Sequence, residues 1–103
     1  NLSNVLGEKN MIIGIGTIYL RANWVHSLKE KRMIVKSITA KVRNKFNVSI
    51  AEVENQDIHQ SIVLGIASVS NDSRYANSVI QNVLDYIESN TEAVVEDITM
   101  EIL

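Results

Sequence analysis

The sequence contains no cysteine and no proline, and it has four glycines and a single tryptophan. Without cysteine, disulfides, thiolate nucleophiles and cysteine-ligated zinc sites are excluded. Without proline, no helix or strand is broken by a residue that lacks an amide donor. Gly14 and Gly16 have neither the spacing nor the following helix of a dinucleotide-binding loop, so we expect them to allow close approach by a helix.

Long hydrophobic runs are missing as well. Apolar stretches such as 62–67 are far shorter than the roughly 20 residues that a membrane helix needs. Residues 1–10 lack the positive segment and apolar stretch of a secretory signal, and Met11 stands directly before a strand-like run. We therefore expect a cytoplasmic protein without membrane contact. In it, 1–10 are a disordered extension or a leftover of expression, and 11–103 form one domain.

The first half of the chain predicts a strand followed by a helix. The run 11–21 is rich in Ile, Thr and Tyr, as strands are. Ser27 is suited to cap a helix that ends near Phe46. The apolar residues of this helix recur at the spacing of one helical face: they are Leu28, Val35, Ile38 and Val42.

The second half predicts a hairpin, a helix and a last strand. The strands 48–54 and 61–70 flank turn residues at 55–57, and 94–103 forms the final strand. Asn71 or Asp72 caps the second helix, which runs to about Asn90. Its expected buried side carries Tyr75, Val79, Val83 or Leu84, and Ile87. The order β-α-β-β-α-β predicts an α+β fold, a ferredoxin-like plait with two helices on one face of a four-stranded antiparallel sheet.

Alternation along the first strand separates two faces of the sheet. The face expected beneath the helices carries Ile12, Gly14, Gly16, Ile18 and Leu20. The opposite face carries Ile13, Ile15 and Tyr19, and the third strand is apolar at nearly every position, as in a strand covered on both sides. We hypothesise that a second copy covers this face in a homodimer. The alternative is scattered surface apolar residues, which are common.

Charge is divided steeply along the chain. Residues 1–51 carry nine basic groups and two acids, whereas 52–103 carry one basic group and ten acids, for a net charge of −2. Helical geometry at about 100° per residue places four of the bases in one exposed sector of the first helix: Lys29, Arg32, Lys36 and Arg43. We call these four residues the basic stripe. Lys31 lies nearer the apolar side and is included as a helper near the helix start.

Two interpretations of the basic stripe remain open. A row of cations on one helix face is typical of contacts with nucleic-acid phosphates. The alternative is a solvated helix face, paired with acids of the second helix such as Asp85 and Glu88. Recognition of RNA by the sheet face is disfavoured, because Tyr19 is the only aromatic candidate on the central strands.

The remaining polar residues do not form a catalytic or metal-binding pattern. His26 and His59 have no further ligand at metal-binding spacing, so no metal and no cofactor are predicted. The acid pairs Glu52/Glu54 and Glu88/Glu92 have the spacing of solvated faces. Trp24, in the first loop, is expected either to anchor that loop to the core or to present a contact surface.

A set of short runs in fixed order closely resembles the YlxP-like family of small bacterial proteins: HSLKEKR at 26–32, RNKFNVS at 43–49, AEV at 51–53, QD at 56–57 and VSND at 69–72. The resemblance covers 11–103. It implies a ferredoxin-like fold and a domain of unknown function, whose genes in many bacteria neighbour those for translation initiation and a ribosome-binding factor. Residues 22–25, ANWV, depart from the Pro-Gly character of that family's first loop.

Three function classes follow. The first is a non-enzymatic protein that binds the ribosome or structured RNA through the first helix. The second is a homodimeric protein-interaction or small-effector-binding module. The third, an acylphosphatase-type enzyme, is disfavoured because residues 22–26 offer neither the glycines nor the arginine of a phosphate-cradling loop. We expect a binding protein of the first class and no enzymatic activity.

Overall fold

The structure, a computed structural model, describes residues 11–103; the expectation for residues 1–10 lies outside the described residues. Six elements follow one another in the predicted order. They are β1 (Ile12–Arg21), α1 (Leu28–Lys45), β2 (Ser49–Glu54), β3 (Ser61–Ser70), α2 (Ser73–Ser89) and β4 (Val94–Ile102). The predicted hairpin is formed by β2 and β3.

The strands form one antiparallel sheet in the order β2-β3-β1-β4, so β1 and β3 are central and β2 and β4 are the edges. In the centre, Ile18 is paired with Leu64 on one side and Ile98 on the other. The chain order and this antiparallel sheet with its two helices confirm the ferredoxin-like α+β fold.

Both helices begin at a side chain that accepts a backbone hydrogen bond. Ser27 accepts from the amide of Glu30 at 3.1 Å, and Asp72 accepts from the amide of Arg74 at 3.2 Å. Each cap satisfies one of the amides that have no partner within the first helical turn. The first cap, Ser27, confirms the sequence prediction. Of the two residues predicted for the second cap, the structure shows Asp72 and not Asn71.

The helices pack on the face of β1 that alternation predicted. Gly14, Gly16, Ile18 and Leu20 are buried. A Cβ atom added at Gly14 would lie 2.9 Å from Cγ1 of Ile80, and one at Gly16 would lie 2.7 Å from Cγ2 of the same residue. The two glycines therefore let α2 approach the sheet closely, which confirms the packing role expected for them.

The buried side of α2 differs from the prediction at its first turn. Tyr75 is 62% exposed, whereas Ala76 and Ile80 are fully buried. The prediction was wrong at Tyr75 because Ala76 is the residue of this turn that faces the sheet, with its Cβ 3.4 Å from the position that a Cβ would take at Gly14. Farther along α2, Val83, Leu84 and Ile87 are buried as expected. Within residues 11–103, neither helix is long and apolar enough to cross a membrane.

Candidate nucleic-acid interface on helix α1

The basic stripe lies on the solvent side of α1. Lys29, Arg32, Lys36 and Arg43 are all exposed, while the opposite side of the helix buries Ile38 and Val42 in the core. The ion pairs among residues 11–103 are Arg21–Glu96 and Lys31–Glu52, so no carboxylate of this part of the chain pairs with the stripe. The stripe therefore presents its positive charge to solvent.

The alternative pairing of the stripe with acids of α2 is not found in the described part of the chain. Asp85 instead accepts a hydrogen bond from Nε2 of Gln81 at 2.9 Å, and Glu88 is exposed. Arg43 has one partner, because its Nη2 donates to the carbonyl oxygen of Ile50 in β2 at 2.8 Å. A carbonyl does not neutralise the guanidinium, so Arg43 keeps its charge and gains a fixed position beside the sheet edge.

Lys31 does not belong to this surface. It is 1% exposed, and its Nζ lies 2.7 Å from Oε2 of Glu52, which is itself buried. The same ammonium donates to the carbonyl oxygens of Asn55 and Ile58, the latter at 2.8 Å. The ammonium thus donates to two backbone carbonyl oxygens and forms an ion pair with one carboxylate, all inside the protein. Lys31 cannot contact an external phosphate, which corrects its assignment as a helper of the stripe.

The partners of Lys31 also correct the prediction of a solvated Glu52/Glu54 pair. Glu54 is exposed, but the Glu52 side chain is only 16% exposed because it faces the buried ammonium. The loop after β2 turns at Asn55, whose φ of 55° lies in the left-handed region that Asn tolerates. Lys31 therefore fixes the β2–β3 loop against the first turn of α1.

A second contact connects this loop to the β1–α1 loop. Nε2 of Gln60 donates to the carbonyl oxygens of Asn23 and Val25, at 3.1 and 3.2 Å. The amide of Ala22 donates to the carbonyl oxygen of Gln60 at 2.8 Å. Gln60 therefore fixes the backbone of the loop that carries Trp24, through its side-chain amide and through its carbonyl oxygen.

Trp24 faces a groove rather than the core. Its side chain is 44% exposed, and the neighbouring Met33 of α1 is 64% exposed. The groove has a volume of about 320 Å³ and runs between α1 and the α2–β4 loop. Its lining comprises Trp24, Met33, Ile34, Ser37, Ile38, Lys41, Asn90, Thr91 and Glu92. We call it the Trp24 groove; of the two roles expected for Trp24, a contact surface is the one that this exposure favours.

The end of α1 carries a cation that belongs to a separate cluster. Nζ of Lys45 lies 5.2 Å from the centre of the Tyr86 ring and 6.0 Å from that of Phe46. The two rings meet edge to face, with centroids 5.5 Å apart. This arrangement is a cation–π contact between the helices, so Lys45 is excluded from the basic stripe.

The sheet face away from the helices carries apolar residues that differ widely in exposure. Ile13, Ile15 and Tyr19 of β1 are each partly buried. On β3, Val63 is 1% exposed and Val69 is 68% exposed. A shallow depression of about 320 Å³ crosses this face where small side chains of β2 and β3 meet β1. The contact between copies that was expected here stays a prediction.

The two histidines lie in exposed loops, His26 before α1 and His59 between β2 and β3. Within residues 11–103, no three His, Asp or Glu side chains are grouped so that they could hold a metal ion.

Comparison with known proteins identifies the family. The model of a family described as "Protein of unknown function (DUF503)" matches residues 13–100. The chain is 47% identical over 66 residues to the "Uncharacterized protein YlxP" of Bacillus subtilis (strain 168), an alignment that covers 64% of this chain and 72% of that protein. The family match spans both helices and all or most of every strand described above. The chain therefore belongs to the YlxP-like family of proteins of unknown function, DUF503.

Proposed function

We propose that this protein binds structured RNA, such as that of the ribosome, by placing the basic stripe of α1 on the phosphate backbone. One observation carries the proposal: four exposed cations share one helix face, and no carboxylate of residues 11–103 forms an ion pair with them. Phosphate contacts from Lys and Arg supply most of the affinity in non-specific nucleic-acid binding. The gene neighbourhood of the resembling family is consistent with a role near translation.

The dimensions of the stripe suit a nucleic-acid backbone. At about 1.5 Å of rise per residue, the distance along the axis from Lys29 to Arg43 is about 21 Å. A duplex carries roughly one phosphate charge for every 1.7 Å of its axis, so this length faces several phosphates. Side chains cannot read the deep major groove of A-form RNA. The proposal therefore includes recognition of shape and charge with little sequence preference.

The overall negative charge does not oppose this mode of binding. The formal net charge is −2, but the acids are concentrated in the second half of the chain, including Glu96, Asp97 and Glu101 on β4. The strand β4 is at the opposite edge of the sheet from β2, the strand against which Arg43 of α1 lies. The acids of β4 therefore lie away from α1, whereas the exposed Glu54 and Asp57 belong to β2 and the loop after it, which Lys31 holds against α1. The proposal implies a cytoplasmic protein without enzymatic activity.

We expect removal of three of the four charges of the stripe to weaken RNA binding strongly and to make it less dependent on salt. The variant Lys29→Gln/Arg32→Gln/Lys36→Gln leaves Arg43 and its bond to Ile50 intact. Removing one phosphate contact should reduce the slope of log K against log salt by about 0.7 to 0.9. Binding to ribosomal subunits and to a structured ribosomal RNA fragment would be measured by filter retention across a salt series.

A control variant tests whether a loss of binding comes from the stripe itself or from the change in net charge. The variant Asn77→Glu/Ser78→Glu/Asn82→Glu changes exposed positions of α2 and makes the protein more negative by the same amount. It should retain most of the wild-type affinity. If both variants lose binding equally, or if the wild type binds no RNA at low salt, the proposal is wrong.

A second candidate function is self-association through the open sheet face. The observation that favours it is the depression lined by Ile15, Thr17, Ala51, Val53 and Ala67. Large exposed apolar areas often mark protein contacts. The same depression is the candidate position for a small effector.

Sedimentation equilibrium tests the second candidate. If a second copy covers this face, the wild type is dimeric, and Ile15→Glu, which buries a charge at the contact, gives a folded monomer. Tyr75→Glu, at a 62% exposed position of α2, should leave the dimer intact. A monomeric wild type at high concentration would remove this candidate.

A further inference from the structure

The Trp24 groove borders the basic stripe. Lys29 and Lys36 stand four and three residues from Met33 along α1, and Met33 lines the groove. Side chains at these separations are neighbours on a helix, with Cβ atoms about 5–6 Å apart. A backbone whose phosphates follow the stripe therefore passes the mouth of the groove. The Trp24 groove and the basic stripe, which no sequence motif connects, are therefore adjacent on the surface.

The walls of the groove suit a flat apolar group. Trp24 and Met33 leave 44% and 64% of their surfaces exposed, and the volume is about 320 Å³. Ligand pockets begin at roughly this volume. The indole offers a stacking surface that accepts any nucleobase, because every base has a π face. Its loop is held by Gln60, so the surface is positioned before a ligand arrives.

The rim of the groove argues for a neutral occupant. Lys41 and Glu92 both line it, together with Ser37, Asn90 and Thr91. Nδ2 of Asn90 already donates to the carbonyl oxygen of Tyr86 at 2.8 Å, which leaves its side-chain oxygen as an acceptor. Glu92 disfavours entry of a phosphate, whereas Lys41 and Glu92 together offer a donor and an acceptor. This combination fits the edge of a nucleobase.

We infer that the Trp24 groove receives an unpaired base of the RNA whose phosphates contact the basic stripe. The inference rests on the proposed function and specifies its partner, an RNA with a bulged or looped-out nucleotide. Single-stranded and bulged positions are where proteins stack bases on aromatic side chains. The neighbouring basic stripe favours this occupant over an apolar peptide. A nucleic acid can place a base in the groove and its phosphates on the stripe, whereas an apolar peptide can fill only the groove.

Trp24 is the sole tryptophan, so intrinsic fluorescence reports on the groove directly. Two dye-labelled RNA hairpins of the same length would be titrated, one with a bulged adenosine and the other with an abasic residue at that position. Anisotropy of the label gives the affinity for every variant, including the one that lacks tryptophan. The wild type should bind the first about 5- to 150-fold more tightly and show quenching of its emission. Trp24→Leu should bind both hairpins with the affinity of the wild type for the abasic one, with an unchanged salt slope. Tyr75→Leu, another exposed aromatic position, should behave as wild type.

The outcomes distinguish this inference from the proposed function. Equal binding of both hairpins by the wild type, still dependent on the stripe and on salt, overturns the base-binding groove and leaves the proposed function in place. This comparison needs no variant. A drop in affinity for both hairpins alike in Trp24→Leu also overturns it. Absence of binding to either hairpin at low salt overturns both the groove and the stripe.

Discussion

Replacement of Lys31 by Met is expected to lower the free energy of unfolding by about 3–5 kcal/mol, the usual cost of breaking a buried ion pair from one side. The substitution keeps an apolar stem of similar length but removes the ammonium. Oε2 of Glu52, buried and 2.7 Å from Nζ in the native protein, would lose its cation. The carbonyl oxygens of Asn55 and Ile58 would lose a donor as well. Urea denaturation followed by circular dichroism measures the change.

The matched control is Lys29→Met, on the same helix but exposed to solvent. It should shift stability by no more than about 0.5 kcal/mol. The double variant Lys31→Met/Glu52→Met removes both charges and should recover much of the stability, because an apolar pair often replaces a buried ion pair without penalty. If Lys31→Met and Lys29→Met prove equally stable, the buried ion pair does not hold the loop.

Substitution of Gly16 by Ala should lower stability by about 1–3 kcal/mol, the range for overpacking a filled core. The new Cβ would lie 2.7 Å from Cγ2 of Ile80 and 3.4 Å from Cδ1 of Leu84. Isoleucine in a helix has one strongly preferred χ1 rotamer, so Cγ2 cannot turn aside without strain. The helix α2 would have to move away from β1. Thermal and urea denaturation would both report the destabilisation.

Gly65→Ala provides the comparison within the same sheet. Its Cβ would lie 2.9 Å from Cγ1 of Val53, which is 50% exposed on the edge strand β2. The pairing of β2 with β3 is irregular between Glu52 and Glu54, so this part of the edge strand can shift outward although the β-branched Val53 side chain cannot turn. Since Gly in a strand costs roughly 0.5–1 kcal/mol relative to Ala, this variant should be near wild type or slightly more stable. Equal destabilisation at Gly16 and Gly65 would contradict the close approach of α2.

The sequence was sufficient for the order of elements because each signal is local. Each signal depends on residues within a few positions of one another. The signals are the hydrophobic period of about 2 residues in strands or about 3.6 in helices, a capping Ser or Asp, and the turn at 55–57. Helix phase also separated the exposed cations from Lys31, which it placed nearer the apolar side. It could not show that Lys31 is buried, since its partners Glu52, Asn55 and Ile58 are at least 21 positions away and meet it only after β2 packs beneath α1.

The Trp24 groove is a second feature that local sequence signals could not predict. Its walls come from the β1–α1 loop, from α1 and from the α2–β4 loop, and no period or motif connects these segments. The available signal was a lone Trp in a loop, which is compatible with either anchoring or contact. Tyr75 shows that size alone misleads, because the buried side of α2 was decided by Gly14 and Gly16 on another element.

The bond from Arg43 to Ile50 has a consequence for the behaviour of the protein at high concentration. An unpaired edge strand is a template for pairing with other chains and hence for aggregation. On β2 the guanidinium of Arg43 occupies a backbone carbonyl of a strand only six residues long. The longer edge, β4, carries the exposed acids Asp97 and Glu101, which repel the same edge of a second copy. Pairing of β4 with β4 of a second copy is therefore opposed by like charge, and a strand that added to β2 would have to displace Arg43 from Ile50.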